Sequence, residues 1–175
     1  MPHRRDFYRL GALALGNAFA LALAVPGVKY LLDPLGKKSA AGEFRALTRL
    51  GQLNVGEPQS FAILANRQDA WVRYPREPIG SVWLVRQPEG SADPVLAFSA
   101  ECPHLSCPVN LAADRRTFLC PCHSASFAAD GRKTNDVPAR GMDRLEIRLS
   151  DDDDPEVEVK FERFQPQLAE KKPLA

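Results

Sequence analysis

A chain of 175 residues has room for one membrane anchor and one domain of ordinary size. Twenty-three basic and 22 acidic residues leave a net charge of +1, so bulk electrostatics gives no reason to expect nucleic acid or another polyanion as a partner. Fifteen prolines point to loops and turns rather than long helices.

The chain opens M-P-H-R-R-D-F-Y-R, and the nineteen residues from Leu10 to Val28 then carry no charge, Asn17 being the one strongly polar side chain. As a helix this run rises roughly 28 Å, close to the hydrocarbon thickness of a bilayer, and it has no polar face. Arg4, Arg5 and Arg9 before it hold its start in the cytoplasm by the positive-inside rule, although Lys29, Lys37 and Lys38 follow. Arg4-Arg5-Asp6-Phe7 resembles the R-R-x-F core of a twin-arginine export signal; the plainer reading is a pair of arginines flanking an anchor. Ala22-Leu23-Ala24 has the look of a cleavage site. The apolar run continues to Leu32, so residues 1–32 are read as an uncleaved anchor. Residues 33–43, with Pro34, Gly36 and small polar residues, read as a neck.

Beyond Glu43 the pattern is that of strands. Short apolar runs at 60–64, 70–74, 81–86 and 94–99 are punctuated by Pro75, Pro78, Gly80, Pro88 and Gly90. Residues 117–120 and 126–129 form two more, and Asp130-Gly131 signals a hairpin turn. R-L-E-I-R-L at 144–149 and E-V-E-V-K-F at 156–161 alternate as half-buried strands should, with Asp151–Asp154 as a solvated turn between them. No helical period competes outside the anchor. The domain, residues 44–162, is expected to be all-β, built of antiparallel sheets behind one N-terminal transmembrane helix. Residues 163–175, polar and proline-containing, are expected to form a surface tail.

Chemistry concentrates between Cys102 and Phe127. The stretch reads C-P-H-L-S-C, then twelve residues, then C-P-C-H-S-A-S-F, and it holds all four cysteines and two of the three histidines. Cys102 and His104 form a C-x-H pair, Cys120 and His123 a C-x-x-H pair, and Cys107 and Cys122 are left over, one beside each. Three readings fit this pattern. Two Cys and two His hold a structural zinc tetrahedrally. Four Cys form two disulfides. Or two thiolates bind one iron of a [2Fe–2S] cluster and two imidazoles the other.

The two boxes resemble those of the Rieske subunits of cytochrome bc-type complexes, which are typically C-T-H-L-G-C and C-P-C-H-G-S-x-Y/F. The resemblance implies a Rieske [2Fe–2S] fold, with Cys102 and Cys120 on the buried iron, His104 and His123 on the outer iron, and a Cys107–Cys122 disulfide. Rieske ferredoxins of ring-hydroxylating oxygenases lack that extra cysteine pair. Leu105, Ser106, Ser124, Ala125, Phe127 and Pro138 would surround the cluster, and Val137–Gly141 stands where the family carries its proline loop. Two departures matter: Ser106 and Ser124 occupy usual glycine positions, while Ala125 and Phe127 replace hydroxyls that donate to sulfur in high-potential members.

By this resemblance the chain is a membrane-bound electron carrier of a bacterial bc-type complex. His123 would contact quinol and take its proton, aided by His104, and a cytochrome b and a c-type cytochrome would be the partners. The cluster domain would sit outside the cytoplasmic membrane, where a disulfide persists. The missing donors imply a low potential and menaquinol as donor. The small Rieske subunit of an exported molybdenum enzyme such as arsenite oxidase is the alternative, and a zinc-stabilised structural module the distant one.

Overall fold

The computed structural model describes residues 4–36, 42–69 and 72–174. The chain divides into two compact units, one drawn from Met1–Lys38 and Arg67–Tyr74, the other from Ser39–Asn66 and Pro75–Ala175. In the first, helix α1 runs over Arg4–Leu32, is long and apolar enough to cross a membrane, and buries none of its residues. The polar exception, Asn17, turns its Nδ2 onto the Leu13 carbonyl at 2.9 Å. That bond satisfies the amide within the helix, as a hydrocarbon setting would demand. A 3-10 turn over Asp33–Gly36 follows; the centre of the expected neck, 37–41, lies outside the described residues.

The strands are β1 (Phe44–Arg49), β2 (Pro58–Asp69), β3 (Val72–Arg86), β4 (Val95–Ser99), β5 (Asn110–Leu111), β6 (Phe118–Cys120), β7 (Ala125–Phe127), β8 (Glu146–Leu149) and β9 (Glu156–Lys160). They form three sheets of three, ordered β1-β9-β8, β2-β3-β4 and β5-β6-β7. The pairings of β9 with β1 and β8, of β3 with β4, and of β6 with β5 and β7 are antiparallel. The expected all-β domain is therefore present.

Alternation in β3 and β4 does the main architectural work. Val82 and Leu84 of β3, with Val95 and Ala97 of β4, face one core; Trp83 and Val85, with Leu96 and Phe98, face another. The first core is completed from β9 and the segment after it by Val157, Val159 and Phe161, the inward members of the alternation legible in E-V-E-V-K-F. The second core contains Cys102, Cys120, Phe118, Ala125 and Phe127. A sheet apolar on both faces thus joins the structural half of the domain to the half that carries the cysteines.

Several elements differ from expectation. The sequence predicts two separate strands across 70–86, but the chain makes one; Ala70 and Trp71 themselves lie outside the described residues. β4 pairs with β3 only from Val82 onward, so Pro75 and Pro78 precede that pairing and their missing N–H groups cost it nothing. Arg76, at φ 52°, breaks the alternation between them, and the Asn66 side chain accepts its N–H at 3.0 Å. β1 carries no sequence signal because it buries no residue fully; it is an edge strand held by β9. Asp154, expected in a solvated turn, accepts the Gly51 N–H at 2.8 Å.

The segment from Arg163 lies at the surface, most of its described residues exposed, yet it is pinned to the domain. Phe164 is buried in the first core, and the chain closes on itself through Gln165 N–H to the Lys172 carbonyl (2.8 Å) and Leu174 N–H to the Arg163 carbonyl (2.7 Å). Lys171 Nζ donates to the Arg144 carbonyl and lies 4.3 Å above the Phe164 ring. A single aromatic among polar residues gives too little periodicity to be read as a buried element.

Candidate metal centre

Two short loops carry the boxes, each rigidly sprung from a strand. After β4 the chain enters Cys102–Cys107, which closes on itself through Cys102 N–H to the Cys107 carbonyl and Ser106 N–H to the Cys102 carbonyl, both 2.8 Å. The second loop, Pro121–Ser124, spans the hairpin whose last pair is Cys120 opposite Ala125. Trp83 Nε1–H donates to the Val109 carbonyl at 3.0 Å and its ring stacks 5.3 Å from Phe118, which fixes the cysteine-bearing half on β3.

The loops bring like donors together. Cys102 and Cys120 are free thiols, 1% and 2% exposed, and both lie in the same buried cluster. Above them His104 is half-buried and His123 exposed, with ring centroids 4.8 Å apart and planes perpendicular. Cys107 and Cys122 form a disulfide across the two loops. Cys120 Sγ lies within 4.8 Å of both disulfide sulfurs. That trio is no ligand set, because two of its sulfurs are bonded to each other. Two buried thiols inside and two imidazoles outside are instead the donors an asymmetric iron–sulfur group takes up.

Burial pushes the Cys102 thiol up to about 11, the backbone N–H groups of His104 and Leu105 pull against that, and the neighbouring Cys120 adds to the rise. A bare thiol here holds its proton at neutral pH, whereas a coordinating cation displaces it.

Other predicted residues are placed as follows. Ala125 and Phe127 are both fully buried on the face of β7 that meets Cys102 and Cys120, so neither offers a donor there. Ser126 faces the other way and accepts from Thr134 Oγ1 at 2.7 Å. Leu105 is exposed, and Pro138 is among the most deeply buried residues. The Asp130-Gly131 turn forms as expected, Gly131 at φ 81° donating to the Ala128 carbonyl at 2.9 Å.

Asn135 is a site residue that the sequence does not flag. Its Nδ2 donates to the Ser124 carbonyl at 2.7 Å and its Oδ1 accepts the Ser126 N–H at 3.3 Å, bracing the second loop. Nothing local marks it, since its partners are backbone groups nine and eleven residues away.

Ser106 and Ser124 both sit at φ 57°. The usual glycine at these positions has a physical reason, because the left-handed region costs an L-residue about 1–2 kcal/mol. Part of that is returned by glycine's larger entropy loss on folding, about 0.5–1 kcal/mol. The double variant Ser106→Gly/Ser124→Gly is expected to gain about 1 kcal/mol, a rise of roughly 3 °C in Tm. A lower Tm by calorimetry would show that the serine hydroxyls contribute more than their backbone strain costs.

The chain is similar in sequence to known proteins. Residues 46–146 match the model of the Rieske [2Fe-2S] domain. The chain is 30% identical over 152 residues to the menaquinol:cytochrome c reductase iron-sulfur subunit of Bacillus subtilis (strain 168), covering 85% of this chain and 87% of that one. It is 26% identical over 150 residues to the cytochrome b6-f complex iron-sulfur subunit 2 of Synechocystis sp., covering 86% and 81%. Among solved structures, the plasma membrane Rieske protein PetC3 from Synechocystis PCC 6803 shares 31% identity, with a TM-score of 0.37 over 48% of this chain and 80% of that one.

Proposed function

The chain belongs to the Rieske [2Fe–2S] family, and on that premise we propose that it is the quinol-side electron carrier of a bc-type complex, fed by menaquinol. Cys102 and Cys120 hold the inner iron, and His104 and His123 the outer one. With two neutral imidazoles in place of thiolates, the bound cluster accepts electrons in a range of about −150 to +300 mV.

The observation that carries this reading is the exposure of His123 beside a fully buried thiol pair. Quinol oxidation gives up electrons and protons together. An exposed imidazole presents its second ring nitrogen to a quinol hydroxyl, where it accepts the hydrogen bond and then the proton. The half-buried His104 orients the approach from the first loop. Phe127, Phe118 and Val109 keep water from the sulfur side.

Helix α1 is the anchor, with Arg4, Arg5 and Arg9 on the cytoplasmic side and the cluster domain across the membrane. A disulfide between the loops supports that placement, since such bonds persist outside the reducing cytoplasm. A cytochrome b would house the quinol and a c-type cytochrome would take the electron.

Menaquinol is proposed because the two buried positions beside the thiols carry no hydroxyl. Donors to sulfur favour the reduced, more negative state. If each is worth about 1 kcal/mol between redox states, its absence lowers the potential by roughly 40–50 mV for one electron. Wild-type protein is expected to titrate in the lower part of the Rieske range and to be reduced by menaquinol, and Ala125→Ser/Phe127→Tyr to titrate higher. A wild-type midpoint near the top of the range, measured by protein-film voltammetry, would overturn the menaquinol assignment.

A further inference from the structure

The cluster ligands leave one well-built feature without a role. Arg140 and Asp143 are buried, with side chains 9% and 6% exposed, and meet in a two-pronged pair at 2.7 and 2.8 Å. The same guanidinium also donates Nη1 to the Leu168 carbonyl at 2.6 Å and Nη2 to the Gln165 carbonyl at 3.0 Å. A rigid planar fork is the group suited to hold several fixed acceptors at once. Arg140 thereby clamps the backbone of residues 165–168.

Between the two clamped carbonyls, Gln167 sits at φ 63°, a conformation that costs an L-residue free energy, and its N–H reaches the Pro103 carbonyl at 2.8 Å. Pro103 is fully buried between the ligands Cys102 and His104. Its carbonyl belongs to the same peptide group as the His104 N–H, which faces the Cys102 sulfur and draws that thiol's pKa down against its burial. One peptide plane therefore accepts a hydrogen bond at oxygen and turns its N–H toward the sulfur. Hydrogen bonds in series polarise each other, so the first strengthens the second.

We propose that residues 165–168, clamped by Arg140, are a strap that tunes the cluster: the Gln167 N–H, acting through the Pro103–His104 peptide, strengthens the hydrogen bond on the Cys102 sulfur and raises the midpoint potential. The strained backbone at Gln167 aims that N–H, and Arg140 is a positioning residue that never touches the cluster. The inference rests on Cys102 being an iron ligand.

The test uses the full-length protein in its membrane or in detergent, with redox titration followed by EPR. Arg140→Lys keeps the charge against Asp143 but cannot hold both carbonyls; ending the chain after Pro166 removes the Gln167 N–H while keeping Phe164. Both are expected to lower the midpoint and shift the g-values of the reduced cluster. Val157→Ala, in the core away from the cysteines, should lower Tm and leave the midpoint alone, which separates tuning from stability. Gln167→Gly keeps the N–H and should keep the wild-type midpoint. Amides of the 164–174 peptide should exchange slowly in the wild type.

Wild-type midpoint and g-values in a fully loaded Arg140→Lys or truncated protein would overturn the strap. So would a falling midpoint in Gln167→Gly. If the clamp variants assemble no cluster, exchange of the wild-type 164–174 amides at the rate of unstructured chain would overturn it equally. Retention of iron by Cys102→Ala would instead sink the ligand reading beneath it, so the two failures are told apart.

Discussion

Replacing any one of Cys102, His104, Cys120 or His123 by alanine is expected to cost the protein its cluster. Intact protein should hold two irons with two acid-labile sulfides and give a rhombic EPR signal on reduction; each variant should show no such signal. The two cysteines are expected to be the more severe. Their thiols are 1% and 2% exposed, so neither water nor a substitute side chain reaches the vacated coordination position. His123, being exposed, leaves a position that solvent can enter, and its variant should lose the cluster by hydrolysis after assembly.

Loading should also depend on pH in a definite sense. With the Cys102 thiol pushed up to about 11, the bare protein carries its proton at pH 7, and binding iron must expel it. Apparent affinity therefore falls as pH falls, because protons compete for the sulfur. Stoichiometric zinc without iron in correctly assembled protein would overturn the ligand assignment.

The second large effect concerns the bridge between the loops. Cys107 and Cys122 are 15 residues apart, and on the chain-entropy model closing such a loop contributes about 3 kcal/mol. Cys107→Ala or Cys122→Ala is expected to lower Tm by roughly 10 °C for a chain of this size. The cluster should still form, since no proposed ligand is lost, but should decay quickly in air. The bridge joins the two loops that carry the imidazoles, and without it only backbone bonds such as those from Asn135 hold the second loop. Two thiols free to alkylating reagent at these positions in the assembled protein would contradict the bridge.

Much of the fold is legible in the amino-acid sequence, for reasons that differ by element. The long apolar helix α1 is a matter of length and composition, which the local sequence carries in full. β9 is legible because its two faces differ chemically and the alternation of Val157, Val159 and Phe161 is unbroken. β1 is not, because an edge strand with half-buried residues has no contrast to display. The Val72–Arg86 strand reads as two because proline argues against a strand unless one knows which stretch lacks a partner on one side, and that depends on where β4 ends.

At the site, sequence alone determined the donor types, their spacing and the absence of hydroxyls at Ala125 and Phe127, since these are properties of residues. Tertiary structure decided that Cys107 and Cys122 are bonded while Cys102 and Cys120 stay free, a choice set by which sulfurs two separate loops bring together. It also decided that Ser106 and Ser124 lie in the left-handed region, which is why the departures from glycine carry a cost. By local pattern Arg140 belongs to an ordinary connector and Gln167 to a tail. Their meaning depends on contacts 28 residues apart for Arg140 with Leu168, and farther still for Gln167 with Pro103. No local pattern encodes such pairs, because an arginine is marked by its charge and a backbone carbonyl by nothing at all.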